Sequence, residues 1–120
     1  MPPRRRVPVA TGQAAVQAWR RAGDGADRTT VATAVRYTLE ELAARAPGRS
    51  VEVRVPPFGA VQCVEGTTHT RGTPPNVVET DAATWLAVAT GEQSWSEAWE
   101  RGTLRVSGHR ANLTAYLPLA

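Results

Sequence analysis

Residues 27–55 read DRTTVATAVRYTLEELAARAPGRSVEVRV, and inside this stretch the apolar period changes. Val31, Ala34, Val35, Leu39, Leu42 and Ala43 return every three or four positions, which puts them on one face of a helix. Asp27 stands where an N-cap belongs, and Pro47-Gly48 closes the run. Val51, Val53 and Val55 then alternate with Glu52 and Arg54, the two-residue period of a strand with one buried face. A long amphipathic helix followed directly by an alternating strand predicts an α+β fold.

Working outward, residues 1–10 (MPPRRRVPVA) lack any period and read as a flexible basic arm that folding does not need. Residues 11–120 then form a single domain. Thr11 is the expected N-cap of a first helix carrying Ala15, Val16 and Trp19 on one face and ending near Gly23 and Gly25. Downstream, Pro56-Pro57-Phe58-Gly59 interrupts the first strand, and residues 60–65 read as a second. A polar loop, GTTHTRGTPP at 66–75, leads to a short strand at 76–79. Short connections between neighbouring strands argue for an antiparallel meander. Asp81 or Thr80 caps a helix through Trp85, Leu86 and Ala89 to Gly91. Ser94-x-x-Glu97 is a capping box opening a helix with Trp95, Ala98 and Trp99. A strand at 103–107 follows, and after Gly108 a last helix is expected through Leu113 and Leu117.

Composition excludes several classes. Leu, Ile, Val and Phe together number 22 of 120 residues, a thin supply for a core, while 20 residues are Ala. A net charge of only +3 nevertheless favours folding over disorder. Without Arg4, Arg5 and Arg6 the chain holds 11 basic and 11 acidic residues, so the excess sits in the arm. Three arginines beside prolines, with no interleaved aromatics, do not make a specific nucleic-acid site. No apolar run reaches membrane-spanning length, and Pro2, Pro3 and Pro8 break any signal-peptide core. A single cysteine, Cys63, allows no internal disulfide and points to the reducing cytoplasm. Two histidines and one thiol without ligand spacing predict no metal site. Gly23-x-Gly25 follows no strand, so it is a loop and not a phosphate cradle. The absence of Lys and Ile beside abundant Ala, Arg, Val and Gly suggests a high-GC, actinobacterial source.

The C-terminal third carries a resemblance. Thr84-Trp85-Leu86, Thr90-Gly91, Ser94, Ala98, Gly102-x-Leu104-x-Val106-x-Gly108 and Leu113 resemble the sterol carrier protein family over residues 80–118. SVEVRVPPFGAVQC (50–63) and HTRGTPPNVVETD (69–81) extend the likeness to residues 49–118. These segments are similar to standalone actinobacterial sterol-carrier-like proteins and to C-terminal domains of mycothiol-dependent maleylpyruvate isomerase relatives. The resemblance implies a curved antiparallel sheet of four or five strands, covered on one face by helices, with an apolar tunnel between the layers. It also implies lipid, acyl-chain or sterol binding without catalysis or a cofactor. The alternative is an accessory or interaction module whose groove is filled by its own side chains and which acts with a partner enzyme, for example a mycothiol-dependent one. A homodimer also stays open.

On that reading Val35, Leu39 and Leu42 face the sheet, Trp85, Leu86, Trp95 and Trp99 close one end of the cavity, Phe58 stands at its rim, and Leu113 and Leu117 line the opposite side. His69 and Arg71 offer a head-group contact from the polar loop. No nucleophile, base and orienting group stand together, so no catalytic residue is assigned. Cys63 reads as a buried, inert thiol.

Overall fold

The computed structural model describes residues 5–67, 74–108 and 111–119. It contains α1 (Val9–Ala22), a 3-10 turn at Gly23–Gly25, α2 (Arg28–Arg45), β1 (Val51–Val55), β2 (Gly59–Cys63), β3 (Asn76–Thr80), α3 (Ala82–Ala89), α4 (Trp95–Glu100), β4 (Leu104–Ser107) and a 3-10 turn at Thr114–Tyr116. The fold is α+β. Three expected caps are formed: Asp27 accepts the Thr30 N–H, Asp81 accepts the Thr84 N–H, and Ser94 with Glu97 makes a reciprocal capping box.

The sheet order is β2-β1-β3-β4. β1 pairs antiparallel with β2 but parallel with β3, and β3 pairs antiparallel with β4. The expected all-antiparallel meander is therefore corrected to a mixed sheet. β3 therefore lies on the far side of β1 from β2. Ser50 is the junction. Its N–H and hydroxyl both donate to the Val64 carbonyl, at 3.1 and 2.6 Å, while its own carbonyl accepts from the buried Asn76 side chain at 2.9 Å. Residues at the end of β2 and the start of β3 are thus tied to one position on opposite sides of β1. Val64 adopts a left-handed conformation at φ 64°, held also by its N–H to the Ala46 carbonyl.

Val51, Val53 and Val55 are fully buried on one face of the sheet, against the helices. The other face carries Glu52 paired with Arg54, and Glu79 paired with Arg105 at 3.5 Å. Helices therefore cover one face only. The last helix is a second correction. Among the described residues the C-terminal segment forms only the turn at Thr114–Tyr116, with Leu113 buried before it and Leu117 extended after it. Two leucines four apart satisfy helical spacing, but Pro118 follows the second and disfavours helical backbone there.

α1 begins at Val9, two residues before the expected Thr11 cap, with Pro8 at the N-cap position and its carbonyl accepting from Gly12 N–H. The described end of the arm also differs from a loose tail: Arg6 and Val7 N–H groups donate to Glu40 and Arg5 pairs with Glu41. α1 lies so close to α2 that a Cβ on Gly12 would fall 2.1 Å from Tyr37 Cγ. Gly12→Ala, normally favourable inside a helix, should here lower stability by about 1–3 kcal/mol in chemical denaturation, because the buried Tyr37 ring has to move. An unchanged or raised midpoint would show that the crossing relaxes freely.

The core is closed by Trp85, whose indole N–H donates to Thr38 Oγ1 at 2.8 Å with both residues fully buried. Thr38→Val keeps the shape but strands the indole N–H, and should cost roughly 1–3 kcal/mol, whereas Thr38→Ser should restore most of it. Equal stability for the Val and Ser variants would sink this account.

Candidate functional site

A groove of about 740 Å³ runs between α2 and the edge strand β2. Its floor is Leu39 and Ala43, one turn apart on α2, with Phe58, Gly59 and Val61 from the β1–β2 hairpin and β2. Arg5, Arg6 and Val7 of the arm form a further wall, and Arg36 and Glu40 stand on the α2 side. The hairpin is held to α2 by two arginines. Arg36 Nε donates to the Phe58 carbonyl at 3.1 Å, and the Arg28 guanidinium lies 5.2 Å from the Phe58 ring centroid, a cation–π distance. The Phe58 N–H closes the turn onto the Val55 carbonyl at 2.9 Å. Gly59 leaves the space open: a Cβ there would meet Leu39 Cδ1 only at 3.5 Å, ordinary contact.

Electrostatically the groove has an apolar floor and a polar rim. Both Glu40 oxygens are engaged, accepting from Arg6 N–H at 2.8 Å and Val7 N–H at 2.9 Å. The neighbouring Glu41 accepts from Arg5 and Arg45; burial pushes its carboxyl up, but the two guanidinium partners outweigh this and hold it below the ordinary value. Arg36 lines the groove with its Nε bonded to the Phe58 carbonyl, and its terminal nitrogens make no hydrogen bond among the described residues.

The residues expected to line one cavity separate into three places. Leu39 and Phe58 meet at this groove. Val35, Leu42, Trp85, Leu86 and Leu113 lie in the filled core, each essentially without exposure, and Leu117 packs against it from outside. Trp95 and Trp99 border a second groove of about 380 Å³ with Val106 and Ala111, where Trp99 is 52% exposed. His69 and Arg71 lie outside the described residues. The sequence reading missed Arg36, Ala43 and Val61. Ala43 was detectable as the small residue one turn after Leu39, and Val61 by its parity with Cys63, but their meeting depends on where α2 crosses β2.

A family model described as Bacterial SCP ortholog matches residues 27–119. The chain belongs to that bacterial sterol carrier protein (SCP)-like family. The match takes in α2 as well as the sheet, α3 and α4, so the α2 and β2 walls of the groove lie inside the family region and its arm wall, Arg5–Val7, lies outside it. No curated protein matches the chain. Among the described residues no helix is long and apolar enough to cross a membrane, and no group of three or more His, Cys, Asp or Glu gathers in a way that could hold a metal.

Cys63, fully buried at the end of β2, has its thiol pushed up to about 12 by burial. A thiol is the unreactive form, so Cys63 should resist iodoacetamide at pH 8 in the native SCP-like domain and react at once in denaturant. Fast native labelling would mean that the β2 end opens readily.

Proposed function

We propose that this SCP-like domain is a non-catalytic binding domain for an apolar small molecule, an acyl chain or related lipid, and that the ligand lies in the α2–β2 groove. The observation that carries the reading is the groove's construction: Leu39, Ala43, Phe58 and Val61 under a rim of arginines, with its volume in the range of small-molecule sites. Among the described residues the one carboxylate bordering it, Glu40, is occupied by backbone N–H groups, which favours binding over acid–base chemistry. Each methylene buried there would contribute roughly 0.8 kcal/mol, enough for useful affinity without a shaped head-group site. Arg36 offers an anionic head group its terminal guanidinium nitrogens, beside the contact expected from His69 and Arg71.

Gly59→Leu tests this directly. The new side chain projects beside Leu39 without a positive-φ penalty and should weaken calorimetric binding of hexadecanoic acid by roughly tenfold or more, equivalent to losing about two buried methylenes. Native mass spectrometry of the purified protein should also reveal a co-purifying apolar ligand. Unchanged affinity in the variant, or no binding at any chain length, would reject the groove.

The accessory-module reading is favoured by one observation, the exposure of Trp99 beside Trp95 in the second groove, since exposed Trp is a common anchor of protein interfaces. It expects a partner enzyme to co-purify and Trp99→Ala to release it, with the α2–β2 groove uninvolved.

A further inference from the structure

We propose that residues Arg5, Arg6 and Val7 form a strap across the α2–β2 groove, and that this strap must release Glu40 and Glu41 before a ligand enters. The proposal rests on the apolar-ligand reading of that groove. All three strap residues border it, and their anchor Glu40 lies mid-way along the α2 residues that line it, between Arg36 and Ala43. A ligand lying along α2 therefore has to pass the strap or displace it.

The attachments are of a kind that can be undone locally. Arg6 and Val7 N–H groups each take one oxygen of the Glu40 carboxylate, and Arg5 pairs with Glu41. Among the described residues the strap makes no backbone-to-backbone bond with the body, so its release breaks no helix or sheet ladder. Only Val7 contributes partly buried apolar surface. Release strands no charge either. Glu41 keeps Arg45, bonded at 2.8 Å, and Arg45 is itself tied to the Leu119 carbonyl. Glu40 is freed towards the solvent side of the groove, beside Arg36. Pro8 supplies the hinge: its φ of −57° is fixed by the ring, and its carbonyl already belongs to the first turn of α1. Movement is thereby confined to the residues before it.

The test compares the parent chain with Glu40→Ala, which removes the acceptor, and with the double substitution Arg6→Pro/Val7→Pro, which removes both donors and leaves Glu40 in the groove. Hydrogen exchange reads the strap itself: Arg6 and Val7 amides should be protected in the parent and lose protection in Glu40→Ala. Stopped-flow fluorescence reads the gate, with cis-parinaric acid as the probe. If the strap is closed most of the time, both variants should bind the probe roughly tenfold faster than the parent, as expected when the competent fraction rises from a tenth to nearly all. Unprotected amides in the parent, or loss of protection with unchanged association rates, would overturn the strap. Failure of parent and variants alike to bind the probe would instead remove the groove, and the gate with it.

Discussion

Trp85 and Thr38 meet in the interior, where among the described residues the indole N–H from α3 has no acceptor but the hydroxyl of α2. That hydroxyl is itself committed to the turn before it, shared between the Ala34 and Val35 carbonyls at 2.8 and 3.0 Å. The bond leaves little freedom in how α2 is rotated against α3. With Thr38 pointing at α3, the neighbouring Leu39, Leu42 and Val35 are turned into the core, while Arg36 and Glu40 fall on the flank beside β2. The groove's rim is thus a consequence of a buried hydrogen bond outside the groove.

Its floor follows from composition. The core is filled by the rings of Trp85, Tyr37 and Trp19 with Leu and a row of valines, and the chain has no Ile to spend elsewhere. Where α2 crosses the edge strand, the facing positions are Ala43, Gly59 and Val61. Small side chains on both sides of a helix–strand contact leave a trough, because backbone spacing is set by the larger neighbours Leu39 and Phe58. The two arginines that hold Phe58 keep the hairpin from collapsing into it. Poor filling at the edge and dense filling at the centre come from the same shortage of large aliphatics.

Much of this was legible in the sequence wherever the signal is local. The caps at Asp27, Asp81 and Ser94 act within a few residues, and the switch from helical to alternating period at residues 50–51 identified α2 and β1 before any tertiary contact. Strand partnership was not legible. Periodicity tells which face of β3 is buried and nothing about its neighbour; the parallel pairing with β1 depends on Ser50 and Asn76, residues 26 apart in sequence whose bond is invisible to a local pattern. The candidate site divided for the same reason. Val35, Leu39 and Leu42 share a helical face, but only Leu39 lies opposite the gap left by Gly59, so amphipathicity found the wall and not the opening.

The arm shows why charge arithmetic and structure need to be read together. Its arginines look like a solvated tail, and exposed ion pairs such as Arg5–Glu41 contribute little, on the order of 0–1 kcal/mol. What orients the arm is instead the pair of backbone donors at Arg6 and Val7, which fit the two oxygens of one carboxylate whatever their side chains are. Strong, fully desolvated contacts are thereby concentrated around Trp85, and weak, water-accessible ones around the groove. Local opening draws on the least stable contacts first, so the segment free to move is the one beside the space a ligand would need, while the helix that forms the floor stays fixed by the core.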